Sequence, residues 1–402
     1  MSEIETVVRL AARGDGVTSG GRYVTGVAPG DRVRFDGDVA TIEPGPHHQR
    51  PPCRHFPECG GCQLQQVDDT AYAEWVAGRI VHALKQQDIA PRLVEPTHLS
   101  PPCSRRRASL RAVRRGRKVE LGFNAEASHR IVDMHECHIL RPELFALVPP
   151  LRELLAGLLG EGQGSGVTMT LVEGGIDLLL SNVDARSLNV IEALTRFAID
   201  QRLPRLAVET TGGVDVVAQA GEPAVRLDEV LVTLPPASFL QATLDGEAAL
   251  QHAVLAATEG AKTRADLFCG VGTFALPLSR AARVHAADAA GPAVQALGAA
   301  ARATGRRVTA EHRDLFRRPL RADELKRFDA VVIDPPRAGA AAQFAELAKA
   351  RVPRVCAVSC NPNTFARDAA LLAAAGYRLD RLWPVGQFRW STHVELVAAF
   401  VR

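Results

Sequence analysis

The feature that most constrains the fold lies in the second half of the chain, where short apolar runs alternate with alanine-rich stretches long enough to be helices. From about Pro235 onward the runs read ADLF (265–268), VHAAD (284–288), AVVIDP (330–335), VCAVSC (355–360) and VELVAAF (394–400). Runs this short, without polar alternation, belong to strands covered on both faces, and their alternation with helices predicts an α/β domain built on a mostly parallel sheet. In open sheets of this kind ligands bind at the carboxyl ends of the strands. The polar residues that close each run are therefore the first candidates for a site.

Those residues form a pattern. DLFCGVGTF (266–274) follows one strand and opens a helix, and Gly270 and Gly272 allow a ligand close to the backbone at the first turn. The next strand ends in Asp288, an acid suited to ribose hydroxyls; His312-Arg313-Asp314 and Asp334-Pro335-Pro336 supply two further polar ends. A dinucleotide fingerprint wants a third glycine at position 275, which is alanine here. This favours S-adenosylmethionine (SAM) over a nicotinamide. The plain alternative is an α/β domain with ordinary glycine turns.

The first half has a different character. At 402 residues the chain suits two or three domains, and 47% apolar with 23% charged residues is a globular balance. Residues 1–46 alternate apolar and polar positions between glycine turns, with strands expected at Arg22 to Val27 and Arg32 to Phe35. They predict a small β-barrel of TRAM or OB type, a fold often used on RNA. A Pro- and His-rich linker leads to residues 53–234, expected as a central α+β domain with helices over 71–87, 142–159 and 187–202; residues 235–402 form the α/β domain. The opening MSEIETVVRL has no apolar leader and no run is long enough to span a bilayer, so a cytoplasmic protein with no membrane partner is expected, as a monomer.

Two clusters carry chemistry. The run CSRRRASLRAVRRGRK (103–118) either neutralises RNA phosphates or is a solvated basic strand face, since the net charge of +3 decides nothing. Of the eight cysteines, Cys53, Cys59 and Cys62 fall within ten residues around Gly60-Gly61, a spacing for metal ligands rather than disulfides. On spacing alone, an iron–sulfur cluster and a structural zinc, with His55, His135 or His138 as possible mixed ligands, stand level.

Taken together, DLFCGVGTF, DPPRAG (334–339), SCNP (359–362), HVE (393–395), SFLQ (238–241) and CRHFPECGGCQLQ (53–65) resemble the RNA uracil-5-methyltransferase family, in particular its 23S ribosomal RNA branch. The resemblance covers nearly the whole chain. It implies a Rossmann-like SAM-dependent methyltransferase domain, Cys360 as nucleophile and Glu395 as base. It places Gln241, Phe268, Thr273, Asp288, Asp314 and Asp334 around SAM. It also adds Cys137 as a fourth ligand beside Cys53, Cys59 and Cys62 and makes the group a [4Fe–4S] cluster, with zinc the alternative and Cys103 the second-choice ligand. Thr273 and Thr243 stand where many relatives carry Asn, and Asp288 where Glu is frequent.

The chemistry accounts for the residue types. Uracil carbon 5 is a weak nucleophile until a thiolate adds to carbon 6, and the adduct collapses only when a base takes the carbon 5 proton. Cys356, inside its strand, suits the core, and His393 either supports Glu395 or is structural. The expected partner is RNA, 23S rRNA before tRNA. A non-catalytic RNA-binding assembly factor is the alternative from another class, disfavoured by the intact Cys360 and Glu395. A radical or redox iron–sulfur enzyme is disfavoured by the lack of a compact three-cysteine motif near a barrel start.

Overall fold

The apolar runs of the second half assemble into one sheet of nine strands. Their order is Val308–His312, Arg283–Asp288, Thr263–Leu267, Ala330–Ile333, Arg354–Ser359, Glu395–Val401, Arg378–Gly386 and Leu93–Val94, with His98–Leu99 also pairing with Arg378–Gly386. The first five run parallel, and Glu395–Val401 runs antiparallel to both of its neighbours. Arg378–Gly386 is not visible as an apolar run, because Arg378, Asp380 and Arg381 interrupt it on the less buried side. This computed structural model describes residues 3–37 and 39–402; Met1, Ser2 and Asp38, which fall in the expected amino-terminal domain, lie outside the described residues.

Helices cover both faces of the sheet, as unbroken apolar strands require. Asp69–Lys85, Ala341–Ala350 and Pro362–Ala374 pack on one side through Tyr72, Phe344 and Phe365; Leu244–Ala257 and Gly291–Ala303 pack on the other through Leu250 and Leu297. Residues 64–99, placed by sequence in the central unit, thus join the carboxyl-terminal sheet and its core. The hairpin of Ala224–Leu227 and Val230–Thr233 does the same through Val225 and Val232. The first helix begins at Asp69, two residues before the expected start, because the Asp68 carboxylate caps it by accepting the Ala71 N–H at 2.8 Å. None of the helices among the described residues is long and apolar enough to cross a membrane.

The amino-terminal strands order as Tyr23–Val24, Gly16–Thr18, Glu3–Leu10, Arg32–Asp36 and Val39–Glu43. This antiparallel sheet curls around Val7, Val24, Val27 and Val33, helped by a break of register between Val7 and Arg9 that bends the longest strand. The central sheet has six strands, in the order Gly213–Gln219, Arg205–Thr210, Gly175–Ser181, Gly164–Val172, Arg107–Arg115 and Lys118–Gly122. Helices Val148–Leu158 and Leu188–Asp200 cover one of its faces. The other face is open around Ser109 and Arg111, while residues 234–238 lie against its Arg107 end.

Period-2 alternation along Arg107–Arg115 splits the arginine run. Ala108, Leu110 and Ala112 enter the core, while Ser109 and Arg111 face out. Arg106 does neither. It is 2% exposed, its NH2 group lies 2.5 Å from Glu247 Oε2, and its Nε donates to the Gln241 carbonyl at 3.1 Å. The run is therefore not one RNA-facing cluster, and Arg106 ties the central sheet to the first turn of Leu244–Ala257. Removing one partner of a buried ion pair strands the other charge, so Arg106→Ala should destabilise the protein by roughly 3–5 kcal/mol. Arg111→Ala, on the open face, should stay within about 0.5 kcal/mol of the parent. Urea midpoints of the two variants check the contrast.

Candidate active site

Parallel register brings the expected cofactor residues to one edge of the sheet. Leu267 lies beside Ala287 on one side and Ile333 on the other, so Phe268, Asp288 and Asp334 leave adjacent strands together. Phe268 N–H donates to the Ala287 carbonyl at 2.8 Å, and Asp334 N–H to that of Leu267 at 3.1 Å. The Asp288 carboxylate accepts from the N–H groups of Gly270 (2.9 Å) and Ala290 (2.8 Å), which fixes the glycine turn against the second strand. Gly272 has φ +100°, which side chains rarely adopt, and a Cβ there would also come within 2.4 Å of Leu297 Cδ1, so the turn calls for glycine. Phe268 itself has φ 64°, a strained conformation of the kind that collects at functional loops.

Two of the remaining cofactor candidates hold the loops. Asp314 accepts from Phe316 and Arg317 N–H at 3.0 and 3.1 Å, and Thr273 gives its carbonyl to Gln251 Nε2 at 3.0 Å. Thr243 caps Leu244–Ala257 by accepting the Gly246 N–H at 3.0 Å, so a hydroxyl does there what an Asn would. Gln241 lies deeper, 3% exposed, with its Oε1 2.7 Å from Gln387 Nε2.

The nucleophile and base candidates meet through an antiparallel step of the sheet. Ser359 pairs with Leu396, so the next position sets Cys360 across from Glu395. Cys360 also immediately precedes Pro362–Ala374, whose cap Asn361 accepts the Asn363 N–H at 3.1 Å and donates through Nδ2 to the Arg337 carbonyl at 3.1 Å. Cys360, Glu395, Arg337 and His393 line a cavity of about 520 Å³. Arg337 reaches His393 Nδ1 at 3.2 Å, so the histidine engages the arginine rather than the carboxylate.

The same cavity is lined by Cys53, Cys59, Cys62 and Cys137, which come from two loops far apart in sequence. Arg54 pairs with Glu136 at 3.1 Å, His135 N–H donates to His55 Nε2 at 3.0 Å, and Gly60 N–H to the Asn124 carbonyl at 2.9 Å. The cysteine loop also grips the segment that leads to Glu395: Gln63 and Leu64 N–H both donate to the Trp390 carbonyl, at 2.8 and 2.9 Å. Tyr72 hydroxyl bonds the carbonyls of Phe388 and Ser391 at 3.1 and 3.0 Å, and Arg389 pairs with Asp69. Cys103 is exposed, with its Sγ 3.8 Å from the His138 carbonyl, and Cys356 is buried in the core. Among the described residues no three His, Cys, Asp or Glu side chains converge as ligands of a single ion.

Burial sets the electrostatics. It raises Glu395 to about 8, with Asp334 adding to the shift and Gln387 and Arg337 opposing it. Asp334 is pushed up to about 7 by burial and by Asp288. Cys360 rises to about 11 through burial, Glu395 and Asp334, against Arg337. Burial raises all four clustered thiols as well, Cys62 to about 12.

Residues 235–401 match the family model described as tRNA (Uracil-5-)-methyltransferase. The chain is 45% identical, over 99% of its length and 100% of the relative's, to an uncharacterized RNA methyltransferase of Zymomonas mobilis. It is 30% identical to the 23S rRNA (uracil(1939)-C(5))-methyltransferase of Pectobacterium atrosepticum, over 94% of this chain and 88% of that one. The chain belongs to the RNA (uracil-5-)-methyltransferase family. As a member it is an enzyme that moves a methyl group from SAM to carbon 5 of a uracil in RNA. Its fold is that of the Pyrococcus abyssi tRNA (uracil-54, C5)-methyltransferase, solved with S-adenosyl-L-homocysteine (SAH): TM-score 0.77, 99% of both chains and 21% identity.

Two residues of this methyltransferase escaped the sequence reading. Phe316 is 53% exposed yet its ring centroid lies 5.4 Å from that of Phe268, which gives this edge of the sheet an aromatic pair. An aromatic two places after Asp314 in a loop was the only available signal. Gln387, 2% exposed, bridges Gln241 and the Ala242 N–H, and nothing local in the sequence marks it.

The raised Glu395 ties stability to pH. The folded methyltransferase holds this proton up to about pH 8, whereas the ordinary value is 4.5. Folding therefore favours the neutral form, and the stabilisation is complete below the ordinary value and lost as pH rises through the folded one. Glu395→Gln keeps a neutral group at every pH. Urea unfolding should show it more stable than the parent at pH 9, by on the order of a few kcal/mol, and the gap should shrink towards pH 5.

Proposed function

We propose that the enzyme makes 5-methyluridine in 23S rRNA with Cys360 as nucleophile and Glu395 as base. The reading rests on the strand register that sets these two side chains across from each other in one cavity. Cys360 Sγ bonds to carbon 6, and the electrons of the 5,6 double bond move into an enolate that makes carbon 5 nucleophilic. SAM, when bound, supplies the electrophilic methyl of its sulfonium. The Glu395 carboxylate then takes the proton from carbon 5, the double bond re-forms and the Cys360 thiolate leaves. Both groups must be ionised to act, and burial holds both protonated in the free enzyme near neutral pH. Arg337 and the start of Pro362–Ala374 are the features that favour a thiolate at Cys360.

For SAM, the residues fit. Asp288 and Asp314 suit the hydroxyls and amino group of its nucleoside, Phe268 and Phe316 suit the flat base, and Gln241, Thr273 and Asp334 complete the edge. Support for 23S rRNA comes from the full-length likeness to the Pectobacterium atrosepticum enzyme, together with the amino-terminal β-sheet and the cysteine loops. The target uridine must leave its stack, since the thiolate and the methyl donor approach the ring from outside its plane. We place the reaction in the cytoplasm, on a monomer.

Cys53, Cys59, Cys62 and Cys137 would hold a [4Fe–4S] cluster. Four thiols from two loops face one cavity, which suits the four thiolate ligands of such a cluster, with zinc the alternative. Methyl transfer from SAM needs no electron. The cluster's part would be mechanical: the four cysteines would join two loops, one of which holds Trp390 ahead of Glu395.

Given unmodified transcripts, the parent should methylate a 23S rRNA fragment and leave tRNA untouched. Cys360→Ala should lose methylation entirely while binding SAH as the parent does. Glu395→Gln should accumulate a protein–RNA adduct that survives denaturing electrophoresis. Methylation by Cys360→Ala would remove the thiol from the mechanism, and methylated tRNA with unmodified rRNA would reassign the substrate.

Purified without oxygen, the protein should be brown and carry about four iron and four sulfide per chain. A colourless protein with one zinc would overturn the cluster alone.

A further inference from the structure

Gln387 has no place in the chemistry above, yet it is among the most buried polar side chains, and every atom of its amide is committed. We propose that Gln387 is a positioning residue: it fixes the side-chain amide of Gln241 so that Gln241 presents its NH2 group, and only that group, to the cofactor.

The argument follows hydrogens. The Ala242 N–H can only donate, so the Gln387 atom 3.0 Å away must be the oxygen, Oε1. The Gln387 NH2 is thereby turned toward Gln241, 2.7 Å away, and that contact requires an acceptor, so Gln241 offers its Oε1. The Gln241 NH2 then has one place left, on the far side. There Nε2 donates to no protein group among the described residues, and it is not one of the buried polar atoms left without a partner, so a ligand can reach it. Reversing either amide would set donor against donor in a space where both side chains are 3% exposed or less, and an unpaired buried group costs more than an ordinary hydrogen bond returns.

The backbone is shaped to admit Gln387. A Cβ on Gly246 would lie 2.7 Å from Gln387 Cβ and 3.2 Å from its Oε1, so the first turn of Leu244–Ala257 leaves room for this side chain only because it carries glycine. A fixed NH2 selects an oxygen acceptor, and the carboxylate of the cofactor's amino-acid end is the acceptor with the most to gain. The inference rests on Gln241 being a cofactor residue.

SAH titrations of the parent, Gln387→Met, Gln241→Leu and the double variant test it. Methionine matches the length of glutamine but cannot orient Gln241, so Gln387→Met should weaken SAH binding by about tenfold in the parent. In the Gln241→Leu background it should change binding by less than about twofold, because no amide remains to orient. Equal weakening in both backgrounds, or none in the parent, overturns the proposal. If Gln241→Leu binds SAH like the parent, Gln241 is not a cofactor residue and that assignment falls by itself. The relay is then decided by neutron diffraction of the unmutated protein, which locates the deuterons on both amides. Gln241 Nε2 found facing Gln387 would overturn it.

Discussion

Because Glu395–Val401 runs against Arg354–Ser359, the first residue of one strand meets the residue just past the end of the other. A parallel strand in that place would have carried Glu395 to the opposite edge of the sheet, away from the cofactor turn. The reversal brings a thiol and a carboxyl that are distant in sequence to one point beside Asp334. Since side chains alternate along strands, a slip of one residue would point Glu395 at the helices instead. Strand Arg378–Gly386 guards against such a slip by pairing Val385 with Glu395 from the other side.

What gathers there is unfavourable by itself. Asp334 raises the proton affinity of Glu395, both raise that of Cys360, and exposed Arg337 is the charge that opposes them. The fold accepts this because the residues around the site are tied to rigid elements: the Asn361 cap, the Asp288 bonds to the glycine turn, and the tethers from Tyr72 and the cysteine loop. A preorganised site of this type holds its charges ready for the altered charge distribution of the reacting base, so little has to rearrange during the reaction.

Much of this was legible in the residues. The apolar runs gave the parallel strands, and the polar groups that end them fell together as open α/β sheets demand. The cysteine spacing marked one loop, and the structure sets it with the loop of Cys137 around one cavity. Other features depend on long-range contacts that no local pattern encodes. The arginine run looked uniform until strand alternation separated Arg111 from the core positions and Glu247 claimed Arg106. Residues 64–99 looked like the start of a central unit because apolar helical spacing does not say which sheet the helix will cover. Gln387 and Phe316 were invisible for the same reason: their partners, Gln241 and Phe268, are remote in sequence.

The tether from Tyr72 to Ser391 joins positions 319 apart, and the cysteine loop bonds Trp390 across a similar span. Contacts of this separation are slow to close, because the loop entropy is paid before the contact returns anything. On the ribosome the delay is absolute: residues 388–395 emerge after every other residue that lines the cavity. Cys360 is thus made before Glu395, the tethers around it and its own pairing strand. A nascent or truncated chain carries the thiol without the strand that sets Glu395 across from it, so the cavity is complete only once synthesis has passed Glu395.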